Sequence, residues 1–358
     1  MAWLVDGPHF FPHMLSAIDQ AQQSILLEVY LVESGRQTAQ WIEHLKAASN
    51  RGVRVCVLLD GFGASGLQRA EREALEQAGV ELRFFNPLHW RKLTQNLMRN
   101  HRKLLLIDDQ LAFVGGFGLS DDYDHPALSW HEVVLRLQGG CVQDWRDLFV
   151  AAWVASKGSP LPAPQANRLS AAPGMAGRVA HGQGLWLHGL NWSLIRRINQ
   201  AQRHIWLSTP YFVPTRQLRR ALRQAAARGV EVHLLLPGPT MDHPWVRYAG
   251  QRYYARLLRA GINIYEYQPR FIHAKVSVCD DWVSVGSCNF DHWGLRWNLE
   301  ANQEVDDAGL AQQALIWCEE TRAHSLWVDA RLWAARPWPL KLKTWLGGLL
   351  DALLKRLG

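Results

Sequence analysis

Cysteine is scarce and never paired. Cys56, Cys141, Cys279, Cys288 and Cys318 stand singly, with no C-x-x-C among them. That argues against a disulfide framework or a zinc knuckle and suits a reducing compartment. No run of eighteen apolar residues occurs, so no transmembrane helix is expected. Met1–His13 has neither a basic start nor a long apolar stretch, and does not read as a signal peptide. No residues stand at metal-ligand spacing, so no metal and no cofactor are expected. Acid is the minority charge: 32 Asp and Glu face 39 Lys and Arg, a net +7. Such a balance suits phosphate partners, whether nucleic acid, anionic lipid or a phosphorylated metabolite. The plainer reading is a host with a generally basic proteome.

What is present is a repeat. His101-Arg-Lys-Leu-Leu-Leu-Ile-Asp-Asp109 reads as a buried strand, apolar in the middle and charged at both ends. His101 and Lys103 share one face and Asp108 falls on the other. His273-Ala-Lys-Val-Ser-Val-Cys-Asp280 repeats the pattern, and each copy precedes a glycine element, Gly115-Gly116 or Gly286-Ser287. The likeness extends further. Residues 14–27 match 194–207, 45–60 match 222–237, and Ala78-Gly79-Val80 matches Ala260-Gly261-Ile262. Each half reads β-α-β-α-β, then a hairpin through the His-Lys strand, then a closing strand and helix. This predicts an α/β protein of two duplicated α/β/α sandwich halves with mixed sheets, packed about a pseudo-twofold axis. With 358 residues, 48% of them hydrophobic, the chain can bury cores of that size. His101 follows Gly79 by 22 positions and His273 follows Gly261 by 12. The first half therefore carries about ten extra residues within Asn86–Asn100, read either as a solvated basic loop or as a flap beside a phosphate site.

Two histidines and two lysines from duplicated strands fit phosphodiester chemistry. One histidine can attack phosphorus while the other protonates the leaving alkoxide. The lysines offset charge on the phosphoryl oxygens, and a covalent phosphohistidine divides the displacement into two steps. Water or an alcohol can complete the second step. The active site would lie at the interface of the halves. Each half also offers a carboxylate able to orient its own histidine, Glu132 in Trp130-His-Glu-Val133 and Glu300 in Asn298-Leu-Glu-Ala-Asn302.

These motifs resemble the phospholipase D superfamily, whose signature is H-x-K-x4-D followed by Gly-Ser-x-Asn. The resemblance implies a catalytic set of His101, Lys103, Asp108, His273, Lys275 and Asp280, with no metal. It implies His101 as nucleophile and His273 as acid, though the residues alone leave that order open. Face parity turns Asp108 and Asp280 away from the phosphate, toward structural hydrogen bonds. Gly286, Ser287 and Asn289 complete the second element, so Ser287 and Asn289 join Glu132 and Glu300 as supporting or phosphate-binding candidates. The first half reads Gly115-Gly116-Phe117-Gly118, with glycine at the Asn position and Ser120 nearby.

Within the superfamily, Leu26–Tyr30, Arg51–Gly61, Ser208–Pro214 and Asn298–Asn302 are similar to bacterial cardiolipin synthases of the type without N-terminal transmembrane helices. That implies transfer of a phosphatidyl group from one phosphatidylglycerol to another, releasing glycerol, by a peripheral protein on the cytoplasmic face of the inner membrane. Its partners would be phosphatidylglycerol and an anionic membrane surface, with nucleic acid not expected. A lipid hydrolase yielding phosphatidic acid and a nucleic-acid phosphodiesterase are the alternatives. Tyr211 and Pro214 read either as pocket rim or as turn packing. The domains divide as 1–155 and 185–335, with a Pro/Gly/Ala-rich linker at 156–184 and a tail at 336–358. In the tail Leu342, Trp345, Leu346, Leu349, Leu353 and Leu357 fall on one helix face, with charge mostly elsewhere. It reads as an in-plane membrane anchor or as a terminal helix packed on the protein, and Gly347-Gly348 weakens it in isolation.

Overall fold

The computed structural model describes residues 1–125, 128–162, 176–182, 188–289, 291–292 and 294–356. In the first half the strands are β1 (Ala2–Val5), β2 (Ser24–Val29), β3 (Arg54–Asp60), β4 (Glu81–Phe85), β5 (Arg99–Asn100), β6 (Leu104–Ile107), β7 (Leu111–Gly115) and β8 (Val133–Gln138). Its helices are α1 (Gly7–Gln20), α2 (Arg36–Asn50), α3 (Arg69–Gln77) and α4 (Cys141–Ala155). In the remainder the strands are β9 (Ala176–Gly182), β10 (His204–Ser208), β11 (Glu231–Pro237), β12 (Asn263–Tyr267), β13 (Val276–Cys279), β14 (Trp282–Gly286), β15 (Asn298–Asp306) and β16 (Ser325–Trp327). The helices there are α5 (His188–Gln200), α6 (Arg216–Ala227), α7 (Pro244–Gln251), α8 (Tyr254–Leu258), α9 (Gly294–Trp297), α10 (Ala308–Ala323), α11 (Ala330–Ala335) and α12 (Trp338–Arg356).

Two mixed sheets result. One runs β1-β8-β7-β6-β2-β3-β4 and the other β16-β12-β11-β10-β13-β14-β15-β5, with β9 on β15. In each, parallel strands joined by helices meet an antiparallel set that begins at the His-Lys strand: β6 pairs antiparallel with β2, and β13 with β10. The strands are apolar on both faces because both faces are covered. Along β6, Leu104 and Leu106 enter a core shared by the two halves, and Leu105 and Ile107 enter the core under α1 and α2. Val276, Val278, Val283 and Val285 of the second sheet join the shared core. The repeated Arg-Gly pairs have one job in both halves. Gly52 and Gly229 take φ of 87° and 88° at the ends of α2 and α6, the left-handed stop that glycine permits. Arg51 and Arg228 donate to the Ile18 and Ile198 carbonyls, each at 3.0 Å.

Three expectations change. The His-Lys strand starts at Leu104 rather than His101, because the His101 amide leaves the ladder for the Leu299 carbonyl in the other half at 3.0 Å. The expected linker is irregular only in part. Residues 163–175 and 183–184 lie outside the described residues, but Ala176–Gly182 pairs antiparallel along β15. It lies against β15 as β1 lies against β8, so the open edge of the closing strand draws it into the sheet. The insert in the first half is a 3₁₀ segment, Trp90–Leu97, with Trp90 and Leu93 exposed. Its basic end is sequestered: Arg99 is buried and reaches Asp60 at 3.2 Å.

The tail is a formed helix lying on α7, so Gly347-Gly348 does not leave it unfolded. Thr344 and Asp351 are buried, Arg252 donates to the Gly348 carbonyl at 2.8 Å, and its guanidinium pairs with Asp351. Gly347 permits the approach, since a Cβ there would fall 2.9 Å from the Ala249 nitrogen. The leucine and tryptophan face points outward, with Trp345 59% and Leu346 51% exposed. Leu342 and Leu349 share it, while the Leu353 and Leu357 side chains lie outside the described residues. Gly347→Leu should therefore loosen α12 by about 1–3 kcal/mol and speed tryptic cleavage in the tail. The outward change Leu349→Ala should leave cleavage unchanged.

Candidate active site

His101 sits where β5 leads into β6, and β5 itself pairs with β15 of the other half. Its Nδ1 lies 3.0 and 3.1 Å from the two Glu300 oxygens. His273 precedes β13, its amide donates to the His131 carbonyl at 2.8 Å, and its Nδ1 lies 2.6 Å from Glu132 Oε2. The pairing is therefore crossed. Each carboxylate holds the histidine of the other half, not its own as the sequence suggests. The reason is in the backbone: each histidine amide bonds to the carbonyl just before the opposite glutamate, Leu299 or His131.

The glycine elements make room for these carboxylates. A Cβ on Gly116 would stand 2.2 Å from Glu132 Oε2. Ser287, expected near phosphate, instead donates its hydroxyl to Glu300 and accepts from the Ala301 amide at 3.0 Å. Asn289 lines the cavity, and its buried Oδ1 has no partner among the described residues. In the first half a Cβ on Gly118 would meet the Tyr123 ring at 2.9 Å, so no asparagine fits there. The Tyr123 hydroxyl donates to the Gly116 carbonyl at 3.1 Å and lies 3.3 Å from His273 Nδ1. The nearby Ser120 hydroxyl is buried without a partner among the described residues.

Lys103 and Lys275 are buried, and each donates to the carbonyl of its motif histidine at 2.6 Å. Lys275 Nζ also lies 2.9 Å from His273 Nε2, and Lys103 Nζ lies 5.4 Å from the Tyr30 ring centre, within cation–π range. Tyr30 meets His101 edge-on and Trp130 lies against His273. Both histidines open on one cavity of about 820 Å³, which Tyr30, Lys103, Tyr123, Trp130 and Tyr211 also line. Tyr211 thus belongs to the pocket, while the Pro214 carbonyl accepts from Arg219. Leu97 brings the end of the insert to the cavity wall. Tyr123 was not singled out by its sequence. Tyr30 and Trp130 had one legible signal: they end and begin the stretches Leu26–Tyr30 and Trp130–Val133 that the sequence singles out.

Comparison with known proteins settles the family. A family model described as "Cardiolipin synthase, PLD-like domain" matches twice, over residues 14–140 and 194–321. The chain belongs to the PLD-like cardiolipin synthase family. It is 33% identical over 314 residues to the probable cardiolipin synthase YwiE of Bacillus subtilis, covering 85% of this chain and 62% of that one. It is 32% identical over 368 residues to a cardiolipin synthase of Geobacillus kaustophilus, covering 99% and 72%. The chain thus spans about three fifths of the Bacillus subtilis relative's length. Phosphatidylserine synthase of Haemophilus influenzae shares the fold, with a TM-score of 0.74 at 13% identity over 97% of this chain and 92% of that one.

The PLD-like site is electrostatically lopsided. Burial is the main cause throughout. It raises Glu132 to about 7, against the pull of Lys275 and Lys103. Burial also raises Glu300, but His101 and Lys103 outweigh it and hold that carboxyl below its usual range. His273 is depressed well below its ordinary value by burial, then by Lys275 and Lys103. His101 is depressed by burial, with Glu300 opposing. Lys275 falls to about 8, and Lys103 well below its ordinary value, both chiefly through burial. Glu300 is thus held as a carboxylate by His101 and Lys103, whereas Glu132 and His273 hold one proton between them near neutrality.

The motif aspartates stand at the far end of their strands. Asp108 accepts from the Gln22, Gln23 and Ser24 amides at 2.8–2.9 Å, and Asp280 from Gln202, Arg203 and His204 at 2.8–3.1 Å. Each has a φ near 50° and ties the hairpin turn to the start of β2 or β10. Among the described residues no His, Cys, Asp and Glu cluster is arranged to hold a metal. Asp108→Ala should leave three amides without their acceptor and cost about 2–3 kcal/mol, read as a lower urea midpoint. Asp108→Asn should cost less.

Proposed function

We propose that the chain is a cardiolipin synthase, transferring a phosphatidyl group from one phosphatidylglycerol to another. One observation carries the reading: two histidines from duplicated motifs open on one cavity, each with Nδ1 held by a carboxylate, His101 with Nε2 left for a substrate and His273 with Nε2 beside Lys275. His101 Nε2 attacks phosphorus, forming a P–N bond as the bond to glycerol breaks, and the leaving alkoxide takes a proton from His273. The terminal hydroxyl of a second phosphatidylglycerol then gives its proton to His273 and attacks, and the P–N bond breaks. Glu300 favours this order by accepting the Nδ1 proton of His101 and stabilising positive charge on the ring. Lys103 and Lys275 face the non-bridging oxygens, and phosphate drawing Lys275 off His273 lets that ring hold the acid proton. Asn289 donates its amide to phosphate from the second half. Residues 1–155 and 185–335, with β9 added to the second, are the two halves across which this site is built. The protein works as a peripheral enzyme at the cytoplasmic face of the inner membrane; no helix among the described residues is long and apolar enough to cross a bilayer.

Purified protein with phosphatidylglycerol vesicles should yield cardiolipin and glycerol, and chelators should not change the rate. Phosphatidic acid as the main product would instead indicate a hydrolase, and cleavage of DNA or RNA without lipid turnover a nuclease. His101→Ala should abolish both turnover and covalent phosphoryl labelling. The pH dependence follows from the shared proton. Glu132, raised to about 7, keeps it below that pH and loses it above. Hence kcat/KM should fall as pH rises through about 7. Glu132→Gln removes the anion that favours protonated His273, so the falling limb should move to lower pH by about one unit or more.

A further inference from the structure

The second half carries a cationic surface apart from the cavity. Arg216, Arg220 and Arg223 are exposed along α6 at three- and four-residue steps, and Arg256 and Arg259 are exposed on and just after α8. Like charges so spaced oppose the helix that holds them, and among the described residues none of the five is in an ion pair. They border adjoining grooves of about 550, 230 and 370 Å³, whose lining includes no Asp or Glu. Within the cluster Arg219 is depressed by burial foremost, with Arg252, Arg223 and Arg256 adding repulsion.

This surface continues into the tail. Tyr253 lies between the guanidinium groups of Arg219 and Arg252, 4.2 and 4.5 Å from its ring centre. Arg252 in turn holds the Gly348 carbonyl and Asp351 of α12. The helix so fixed turns its small and polar side to the protein and its Trp and Leu side outward, the reverse of an ordinary surface helix. Asp351 and the exposed Trp245 of α7 line the catalytic cavity. A dense cationic field, an outward apolar helix and the cavity are therefore contiguous.

We propose that the arginine surface of α6 and α8 and the outward face of α12 form one docking site for an anionic phospholipid bilayer, distinct from the catalytic cavity and adjacent to it. The arginines meet headgroup phosphates, while Trp338, Leu342, Trp345, Leu346 and Leu349 enter the headgroup–acyl boundary. Charge complementarity selects the occupant. An apolar face alone would suit many partners, but the unpaired arginines beside it call for a surface that is both anionic and apolar. The biological purpose rests on the lipid reading above, but the test does not require turnover.

The test is sedimentation of the full chain with phosphatidylglycerol–phosphatidylcholine vesicles and with phosphatidylcholine vesicles alone. The wild type should bind the anionic vesicles far more tightly, and less so as salt rises. Arg223→Ala/Arg256→Ala/Arg259→Ala should weaken that binding about a hundredfold, with thermal unfolding unchanged. The same three positions as lysine should restore it. Trp345→Ala/Leu349→Ala should weaken binding to anionic vesicles with little effect on its salt dependence. Equal sedimentation of the triple alanine variant and wild type would overturn the proposal. So would equal binding to neutral vesicles, or tighter wild-type binding to duplex DNA than to anionic vesicles. A wild type that sediments as expected but makes no cardiolipin would overturn the transferase reading and support the docking site.

Discussion

Keeping two lysines and two histidines buried in an interface is the constraint on which the architecture turns. Cations without water need anions close by. Glu132 and Glu300 supply them, themselves buried. The balance is uneven. On one side a carboxylate is ionised; on the other a carboxyl raised to about 7 shares its proton. The proposed division of labour, one basic histidine and one acidic, would draw on that inequality. It arises from the surroundings: Ser287 bonds to Glu300, whereas Lys275 presses on His273 and Tyr123 lies beside it.

Geometry near the site follows from this demand for close approach. Gly116 leaves the space that the Glu132 carboxylate fills. The two backbone crossings, His101 to Leu299 and His273 to His131, fix the backbone that carries each ring. The motif aspartates serve the same end at a distance, clamping the turns that begin the strands leading toward the site. Tyr30, Tyr123 and Trp130 form an aromatic wall around the two histidines, and Tyr30 gives Lys103 a ring face.

The duplicated α/β halves were legible because the signal is repeated: apolar strands, Arg-Gly helix ends and His-Lys spacing occur twice. The identities of His101, Lys103, His273 and Lys275 were legible for the same reason. Partner choice was not. Nothing local to Trp130–Val133 says that Glu132 belongs to His273, since that depends on how two sheets face each other. Strand Ala176–Gly182 was hidden within a segment whose Pro and Gly content reads as irregular, because edge pairing depends on an open neighbour more than on composition. In the tail, helical periodicity grouped Leu342, Trp345, Leu346 and Leu349 on one face, and these four are exposed. Only tertiary contact shows that the opposite face, with Thr344, Gly347 and Asp351, is the one that packs.

The crossed carboxylates also bear on descent. A single half holds a histidine and a glutamate that cannot serve each other, so an unfused ancestor would need a second copy facing it. Joining two such copies in one chain keeps the reciprocal dependence while releasing them from identity. Gly118 can then diverge from Asn289 and the insert can arise on one side only. What cannot drift independently is each histidine and the glutamate some 140 to 200 positions away that serves it. Each of those two long-range pairs is a physical unit that spans the repeat boundary.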